Sequence, residues 1–226
     1  MIASRSLMRL FGVALSVLLA ATAPAPAAEE PKAGEQPADP QKEAEEREAL
    51  AEKVRPLIEK YNEQVKAGKW QEALAVADEI EKALPAKLRF QVALMRGELY
   101  TTKKDFEAAY KQFAAVSNAN ADNGELQNYI AWQICTDKRL EKRDIELAAK
   151  CAERANAATK GENAAILDTL ARVRFMQGKK DEAVKLQEQA VAKAEDDNLK
   201  PELQKTLDSL RKGELPPVEQ PEQWQN

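Results

Sequence analysis

A small residue recurs at nearly constant spacing along this chain and limits it to a repeated helical architecture. Ala73, Ala109, Ala148 and Ala183 stand 36, 39 and 35 residues apart, each in a segment whose apolar residues lie three and four positions apart. That spacing places the apolar side chains on one face of a helix. A period of about 20–50 residues indicates stacked supersecondary units. The sequence therefore predicts an array of helical hairpins whose helices approach closely at these alanines.

The clearest hairpin lies at residues 167–191. Its first helical pattern includes Leu170 and Ala171 and ends at Gly178, whose lack of a side chain favours a tight turn. The residues predicted to face inward in the second pattern are Ala183, Leu186, Gln187, Ala190 and Val191. Since such a unit cannot bury its apolar face alone, we expect it to pack against similar units earlier in the chain.

Three further hairpins are predicted upstream of this one. Their helices are expected at 54–65 and 70–84, at 90–102 and 105–116, and at 126–135 and 145–157. Residues 117–124 are small and polar and predict a loop between the second and third hairpins. A last helix begins at Pro201 and carries Leu203, Leu207 and Leu210 on one face. We expect this one-sided helix to cap the array.

Two prolines mark the start of the helical region. Asp39 and Pro40 fit an N-cap and a first helical position, which predicts that a highly charged helix starts there. Its apolar face becomes clear only further along, so the packed domain is assigned to residues 43–213. Pro56 lacks an amide donor and predicts that the helix either kinks or restarts at that point.

Residues 54–197 resemble the tetratricopeptide repeat. The fourth hairpin carries the motif's apolar–small pair at Leu170–Ala171 and its small residues at Gly178, Ala183 and Ala190. The first hairpin, with GKW-x-EA at 68–73, and the second are also similar to the motif. The third hairpin has a long turn and is similar to a variant in exported bacterial proteins, some of which carry such repeats beside a thioredoxin-like domain. The resemblance implies an all-α, right-handed superhelix of about four hairpins plus a C-terminal capping helix.

The N-terminal end of the chain predicts export, and neither end predicts packed structure. Arg5 and Arg9 precede an apolar run at 10–23, and small residues Ala25 and Ala27 follow, which is the pattern of a signal peptide at 1–27. The apolar run is too short to predict a membrane span. Residues 28–42 predict a disordered tether, and the Pro- and Gln-rich residues 214–226 predict a flexible tail. We expect a soluble protein of the periplasm or the extracellular space.

Composition argues against an enzyme and against nucleic-acid binding. The chain has no histidine, which is the commonest general base and metal ligand. Its serines lie in no nucleophile motif, and no glycine-rich loop is present to bind phosphate. Removal of the signal peptide leaves 32 basic against 38 acidic residues, a net charge of −6, which does not favour nucleic acid. We therefore expect no catalytic residues, no cofactor and no metal.

Cys135 and Cys151 leave two structural alternatives open. They fall on opposite helices of the third hairpin, and an exported protein permits a disulfide between them. Their positions are about one helical turn out of step, whereas a bridge needs Cα atoms within about 7 Å, so two buried thiols are the other alternative. A functional alternative is a redox accessory in which both cysteines cycle with a thioredoxin-like partner.

The resemblance also implies a binding surface. In the repeat family the first helix of each hairpin lines a concave face, and that face holds a partner protein or peptide. The residues that the motif places there are Asn62, Glu98, Asn128, Tyr129, Trp132, Asp168, Thr169 and Arg172. We expect Arg172 on this face to be exposed and paired with Asp168 four residues earlier. Trp132 is alternatively a core anchor, and the Arg172–Asp168 pair is alternatively only a local ion pair.

Three functions remain open on the sequence. The leading one is an exported, non-enzymatic scaffold that binds a partner protein or peptide on the concave face. The second is the redox accessory that uses Cys135 and Cys151. The third is a structural component of the envelope that associates with itself. The basic turn at 138–143 is the densest positive cluster and a secondary candidate for docking.

Overall fold

The computed structural model describes residues 40–216, and within them the chain is all-α with no strand. One 3-10 helix, Ala86–Leu88, accompanies nine α-helices in that range. The α-helices are α1 (Pro40–Lys66), α2 (Trp70–Ala83), α3 (Phe90–Thr102), α4 (Phe106–Ala119), α5 (Gly124–Thr136), α6 (Ile145–Ala158), α7 (Ala164–Met176), α8 (Lys180–Lys193) and α9 (Leu199–Arg211). The all-α prediction is confirmed for this part of the chain.

The same turn joins α1 to α2, α3 to α4 and α7 to α8. Each turn contains one residue in the left-handed region, Gly68 at φ +68°, Lys104 at φ +61° and Gly178 at φ +79°. The amide of that residue bonds the carbonyl three residues back, and the next amide bonds the carbonyl five residues back, at 2.9–3.0 Å. These two bonds satisfy carbonyls that a helix end leaves unpaired. Lys104 adopts a conformation that costs a residue with a side chain about 1–2 kcal/mol.

The described residues form two compact units, 40–99 and 100–216. In the first, α1 packs against α2, and both contribute to a core together with the beginning of α3. The buried residues of this core are Val54, Ile58, Tyr61, Ala73, Val76, Ala77, Ile80, Leu84, Val92, Met95 and Leu99. The Tyr61 hydroxyl donates to the carbonyl of Met95 at 3.0 Å, which fixes α3 against α1.

In the second unit, α5 packs against α6 and α7 packs against α8, so consecutive helices pair. α6 and α7 also contact each other, as do α5 and α7, and α9 covers α8. Leu203, Leu207 and Leu210 of α9 are buried, as expected of a helix that caps the last pair. Ala109, Ala148 and Ala183 have no exposed surface, and neither does Ala73 in the first unit. The alanine spacing therefore predicted four fully buried positions correctly.

Several predicted boundaries differ from the structure. α1 starts at Pro40, so residues 40–42 of the predicted tether are helical. α1 also continues through Pro56, which means that the predicted restart is wrong. Pro56 and Glu52, whose carbonyl would accept the missing amide, are both exposed, so that carbonyl is open to solvent. The predicted signal peptide, residues 28–39 of the tether and residues 217–226 of the tail lie outside the described range.

The loop predicted at 117–124 starts later than expected, because α4 continues to Ala119. Ser117 is completely buried, and its hydroxyl donates to the Gln127 side chain at 2.7 Å. Arg154 donates to the same hydroxyl at 2.8 Å. A polar residue thus lies inside the packed face because α5 and α6 supply its partners. Within residues 40–216, no helix is both long enough and apolar enough to cross a bilayer.

Candidate partner-binding surface

Arg172 and Trp132 are brought together from two different helices of the second unit. The Arg172 guanidinium carbon on α7 lies 5.4 Å from the centroid of the Trp132 ring on α5. Arg172 is only 5% exposed, and Trp132 is partly buried. The expectation that Arg172 and its pair with Asp168 are exposed on the binding face is therefore wrong. A desolvated guanidinium near an aromatic ring gains about 1–2 kcal/mol from the interaction.

The Arg172 guanidinium has more donors than described partners. Its Nη1 donates to the carbonyl of Pro216 at 3.2 Å, while its buried Nε has no partner among residues 40–216. A guanidinium offers five N–H donors, and buried donors are normally satisfied. The guanidinium therefore has a buried donor that no described residue satisfies.

Asp168 and Gln187 complete the polar environment of Arg172. Gln187 on α8 donates to the Asp168 carboxylate at 2.8 Å and to the carbonyl of Leu203 at 3.1 Å. Burial raises the pKa of Asp168, and the Arg172 charge and the Gln187 hydrogen bond oppose that increase. Burial in turn lowers the pKa of Arg172, and the Asp168 charge opposes it. Each charge thus opposes the effect of burial on the pKa of the other.

The other residues predicted for the binding surface fall in different places. Asn128 on α5 is partly buried, and its Oδ1 is buried without a partner in the described range. Tyr129 accepts a hydrogen bond from Gln133 at 3.0 Å. Thr169 is buried and donates to the Ala165 carbonyl of its own helix at 3.1 Å. The Thr169 hydroxyl therefore donates within α7 and is not directed at a ligand.

Asn62 and Glu98 belong to the first unit. Asn62 lies on α1 and Glu98 on α3, and both are partly buried. The Glu98 charge acts on Tyr61, where burial is the main cause of a raised pKa. The environment shown for Glu98 is thus the α1–α3 contact of its own unit.

Cys135 and Cys151 are both buried and not bonded to each other. The Cys151 thiol donates to the Ser117 hydroxyl at 3.2 Å, so it points toward α4. Burial raises the pKa of Cys135 to about 12, against the charges of Arg172 and Arg143. Burial also raises the pKa of Cys151. The bridge considered from the sequence is absent, and two buried thiols are present instead, consistent with their positions one turn out of step.

In the basic turn at 138–143, two of the positively charged side chains bind other groups of the protein. Arg139 pairs with Asp137, which is 2% exposed, and it also donates to Thr102 at 3.1 Å. Arg143 donates to the Ile134 carbonyl at 2.6 Å. Lys138 and Lys142 are exposed. Two arginines of this cluster are thus bound to the protein itself.

No family model, curated protein or solved structure matches the chain. The candidate surface therefore rests on its own geometry. Among residues 40–216, no group of three or more metal-binding side chains is arranged to hold an ion. The arrangement around Arg172 is a buried cation beside an aromatic ring, with a buried carboxylate and one bound peptide carbonyl.

Two members of this surface were not identified from the sequence. Gln187 was assigned to the packed face of its helix, but no role was given to it, although one amide within an otherwise apolar pattern is a signal of a buried polar contact. Pro216 was assigned to a flexible tail. Its contact with Arg172 spans 44 residues, and no local pattern encodes it.

Proposed function

We propose that the chain is an exported, non-enzymatic scaffold of the tetratricopeptide type that binds a partner protein or peptide through Trp132 and Arg172. In this proposal four helical hairpins and α9 form a right-handed superhelix, whose inner surface is lined by the first helix of each hairpin. The observation that carries the proposal is the buried Arg172 guanidinium, which lies beside Trp132 and still has an unpartnered donor.

Two features of the fold support a repeat protein. The same left-handed turn recurs at Gly68, Lys104 and Gly178, at spacings that follow the recurrent alanines. The Trp132–Arg172 pair connects α5 and α7, which are the first helices of consecutive pairs. A ligand that binds this pair would therefore lie along the inner helices. Export is proposed from Arg5 and Arg9 before the apolar run and from Ala25 and Ala27 after it.

The geometry favours binding over the redox alternative. Thiol–disulfide exchange needs an accessible thiolate. Both thiols are buried, and burial raises the pKa of each. The structural-component alternative predicts self-association and no specific ligand, so it is separated from the proposal by the experiment that follows.

The test compares two arginines of the same helix. The partner is recovered from the native envelope and purified, and its Kd is measured by calorimetry against the wild type, Arg172→Ala, Trp132→Ala and Arg174→Ala. Arg174 is the matched control, because it lies two residues further along α7 and pairs with Glu153 and Glu182 at 2.7 and 3.2 Å.

We expect Arg172→Ala and Trp132→Ala each to weaken binding about tenfold or more, because Trp and Arg dominate interface energetics. Arg174→Ala should leave the Kd unchanged. Circular dichroism of each variant checks that it is folded. Equal affinities of folded Arg172→Ala and wild type would contradict the proposed surface.

A further inference from the structure

The chain after α9 is turned back by a defined helix end. Gly213 has φ +80°, and its amide donates to the Leu210 carbonyl at 2.9 Å. The Glu214 amide donates to the Ser209 carbonyl at 3.0 Å. These are the two hydrogen bonds of a Schellman motif, which reverses the chain direction and needs a left-handed residue at Gly213. The path of the following residues is therefore fixed by the fold.

The next two residues contact the candidate surface. Leu215 packs against a cluster whose buried members are Ala171, Ala183 and Leu210. The carbonyl of Pro216 accepts the hydrogen bond from Arg172 Nη1. Residues 215–216 thus present one apolar side chain and one backbone carbonyl to α7, in the way that a bound peptide would.

We propose that the surface around Arg172 binds an extended peptide segment that carries a Leu-Pro pair, and that Leu215–Pro216 of the chain itself occupies it in the free protein. This proposal rests on the proposed function and names the chemistry of the ligand. The apolar cluster of Ala171, Ala183 and Leu210 takes the leucine side chain. Arg172 takes the carbonyl of the proline.

A Leu-Pro pair suits this surface for physical reasons. Proline fixes its own φ and disfavours the helical region for the residue before it, so Leu215, before Pro216, and Pro216, before Pro217, both favour extended backbone before they bind. Less conformational entropy is then lost on binding. Proline also has no amide donor, so its carbonyl is the only backbone group that needs a partner. Arg172 supplies that partner through Nη1, and its buried Nε has no partner among the described residues.

The connection to α9 makes the internal segment a strong competitor. A short covalent connection gives a tethered ligand an effective concentration on the order of millimolar. An external peptide must displace the internal segment. Its apparent Kd is therefore the intrinsic Kd divided by the fraction of molecules in which the surface is open. Weakening the internal segment should therefore strengthen external binding without any change to the surface.

The experiment uses full-length protein and a labelled peptide with the sequence of residues 213–218, GELPPV, blocked at both ends. Its affinity is measured by fluorescence anisotropy for the wild type, Leu215→Ser and the double variant Leu215→Ser/Arg172→Ala. Leu215→Ser removes the internal side chain from the cluster and leaves the surface intact. The peptide GESPPV, which lacks the leucine, is the matched control.

We expect the GELPPV peptide to bind Leu215→Ser at least about tenfold more tightly than the wild type, and the double variant to lose that gain. GESPPV should bind none of them. The proposal is overturned if GELPPV does not bind folded Leu215→Ser, binds it no better than GESPPV, or is indifferent to Arg172→Ala. Such results would mean that residues 215–216 pack against the helices as part of the fold and do not occupy a ligand-binding surface.

Gly213→Ala decides the matter if Leu215→Ser proves unfolded by circular dichroism. A side chain at φ +80° strains the turn without touching Leu215 or Arg172, and the added Cβ would lie 3.4 Å from the Lys180 amine. We expect this variant to bind GELPPV about fivefold more tightly than the wild type. Unchanged binding by Gly213→Ala would then reject the internal ligand.

The natural partner separates this proposal from the proposed function. A partner that is weakened by Arg172→Ala but indifferent to Leu215→Ser or Gly213→Ala would support the binding surface and reject the internal ligand. Peptide binding as expected, with a partner that ignores Arg172, would support the Leu-Pro surface and reject the proposed function.

Discussion

Arg172 is the residue at which the cost of burial is clearest. Removing a charge from water costs several kcal/mol unless other groups compensate for it. Trp132, Asp168 and the Pro216 carbonyl supply that compensation here, and the Nε donor remains unpartnered among the described residues. An apolar residue would fill the position at lower cost. The proposed function assigns this guanidinium to a ligand rather than to the packing of α7.

The two buried thiols also give a prediction about individual residues. At pH 8, a thiol with a pKa of about 12 is ionised in roughly one molecule in ten thousand, and only the thiolate is nucleophilic. We expect neither Cys135 nor Cys151 to react with a disulfide reagent in the native protein, and both to react after unfolding in guanidinium without reductant. Prompt reaction in the native state would revive the redox alternative. Fewer than two thiols after unfolding would indicate a bridge.

Residue burial was predictable where it depends on the local sequence pattern. It was not predictable where it depends on contacts with residues far away along the chain. The spacing of Ala73, Ala109 and Ala183 predicted full burial, because close helix approach needs a small residue. Arg172 was expected on an exposed face, and its burial depends on Trp132 and on Pro216, which lies 44 residues further along the chain. No periodicity in α7 contains that information.

At the scale of the element, helix starts differ in a way that the sequence explains. α4 and α6 begin after Asp105 and Asp144, whose carboxylates accept from the amide three residues later at 3.2 and 2.9 Å. α2 and α8 begin after Lys69 and Lys179, which have similar backbone angles but no side-chain cap. A lysine there also places positive charge at the positive end of the helix dipole. Two of these four helix starts are therefore not optimal.

Lys179→Asp should stabilise the protein. Its carboxylate can accept from the amide of Glu182, as Asp105 and Asp144 do in their own turns, which adds about 1 kcal/mol. In a domain of this size we expect the melting temperature to rise by about 2–4 °C. Lys179→Ala is the matched control, because it removes the lysine without adding an acceptor. A rise of the same size in Lys179→Ala would attribute the gain to lost charge repulsion and contradict the cap.

The presence of each helix was predictable from the sequence. The residues at which the helices begin and end were less predictable. The predicted helix at 90–102 has the observed bounds. α4 was expected to end before Ser117, because a serine near small polar residues usually marks a loop. It continues because Gln127 and Arg154 give that hydroxyl buried partners. Contacts between helices thus overrode local preference at that boundary.

At the scale of the whole molecule, the candidate site belongs to the second unit alone. Its members lie on α5, α7 and α8 and in the segment after α9. The first unit has its own core at 54–99 and carries Asn62 and Glu98, which the resemblance alone assigns to binding. The proposed recognition therefore involves residues of the second unit, 100–216.

Export gives a prediction for the complete chain. Arg5 and Arg9, the apolar run and the small residues Ala25 and Ala27 predict cleavage after residue 27. We expect the mature protein in the extracytoplasmic fraction to start at Ala28 or Glu29 by N-terminal sequencing. Recovery of a mature protein that still begins with Met1 would rule out this signal.

The most direct measurement is the affinity of the purified partner for Arg172→Lys relative to the wild type. Lysine keeps the positive charge but lacks the planar group that lies near Trp132 and offers five N–H donors. We expect calorimetry to show a Kd about tenfold weaker, with circular dichroism unchanged at the temperature of the titration. An equal Kd for a folded Arg172→Lys would mean that Arg172 supplies only charge to the fold, and the binding surface around it would be contradicted.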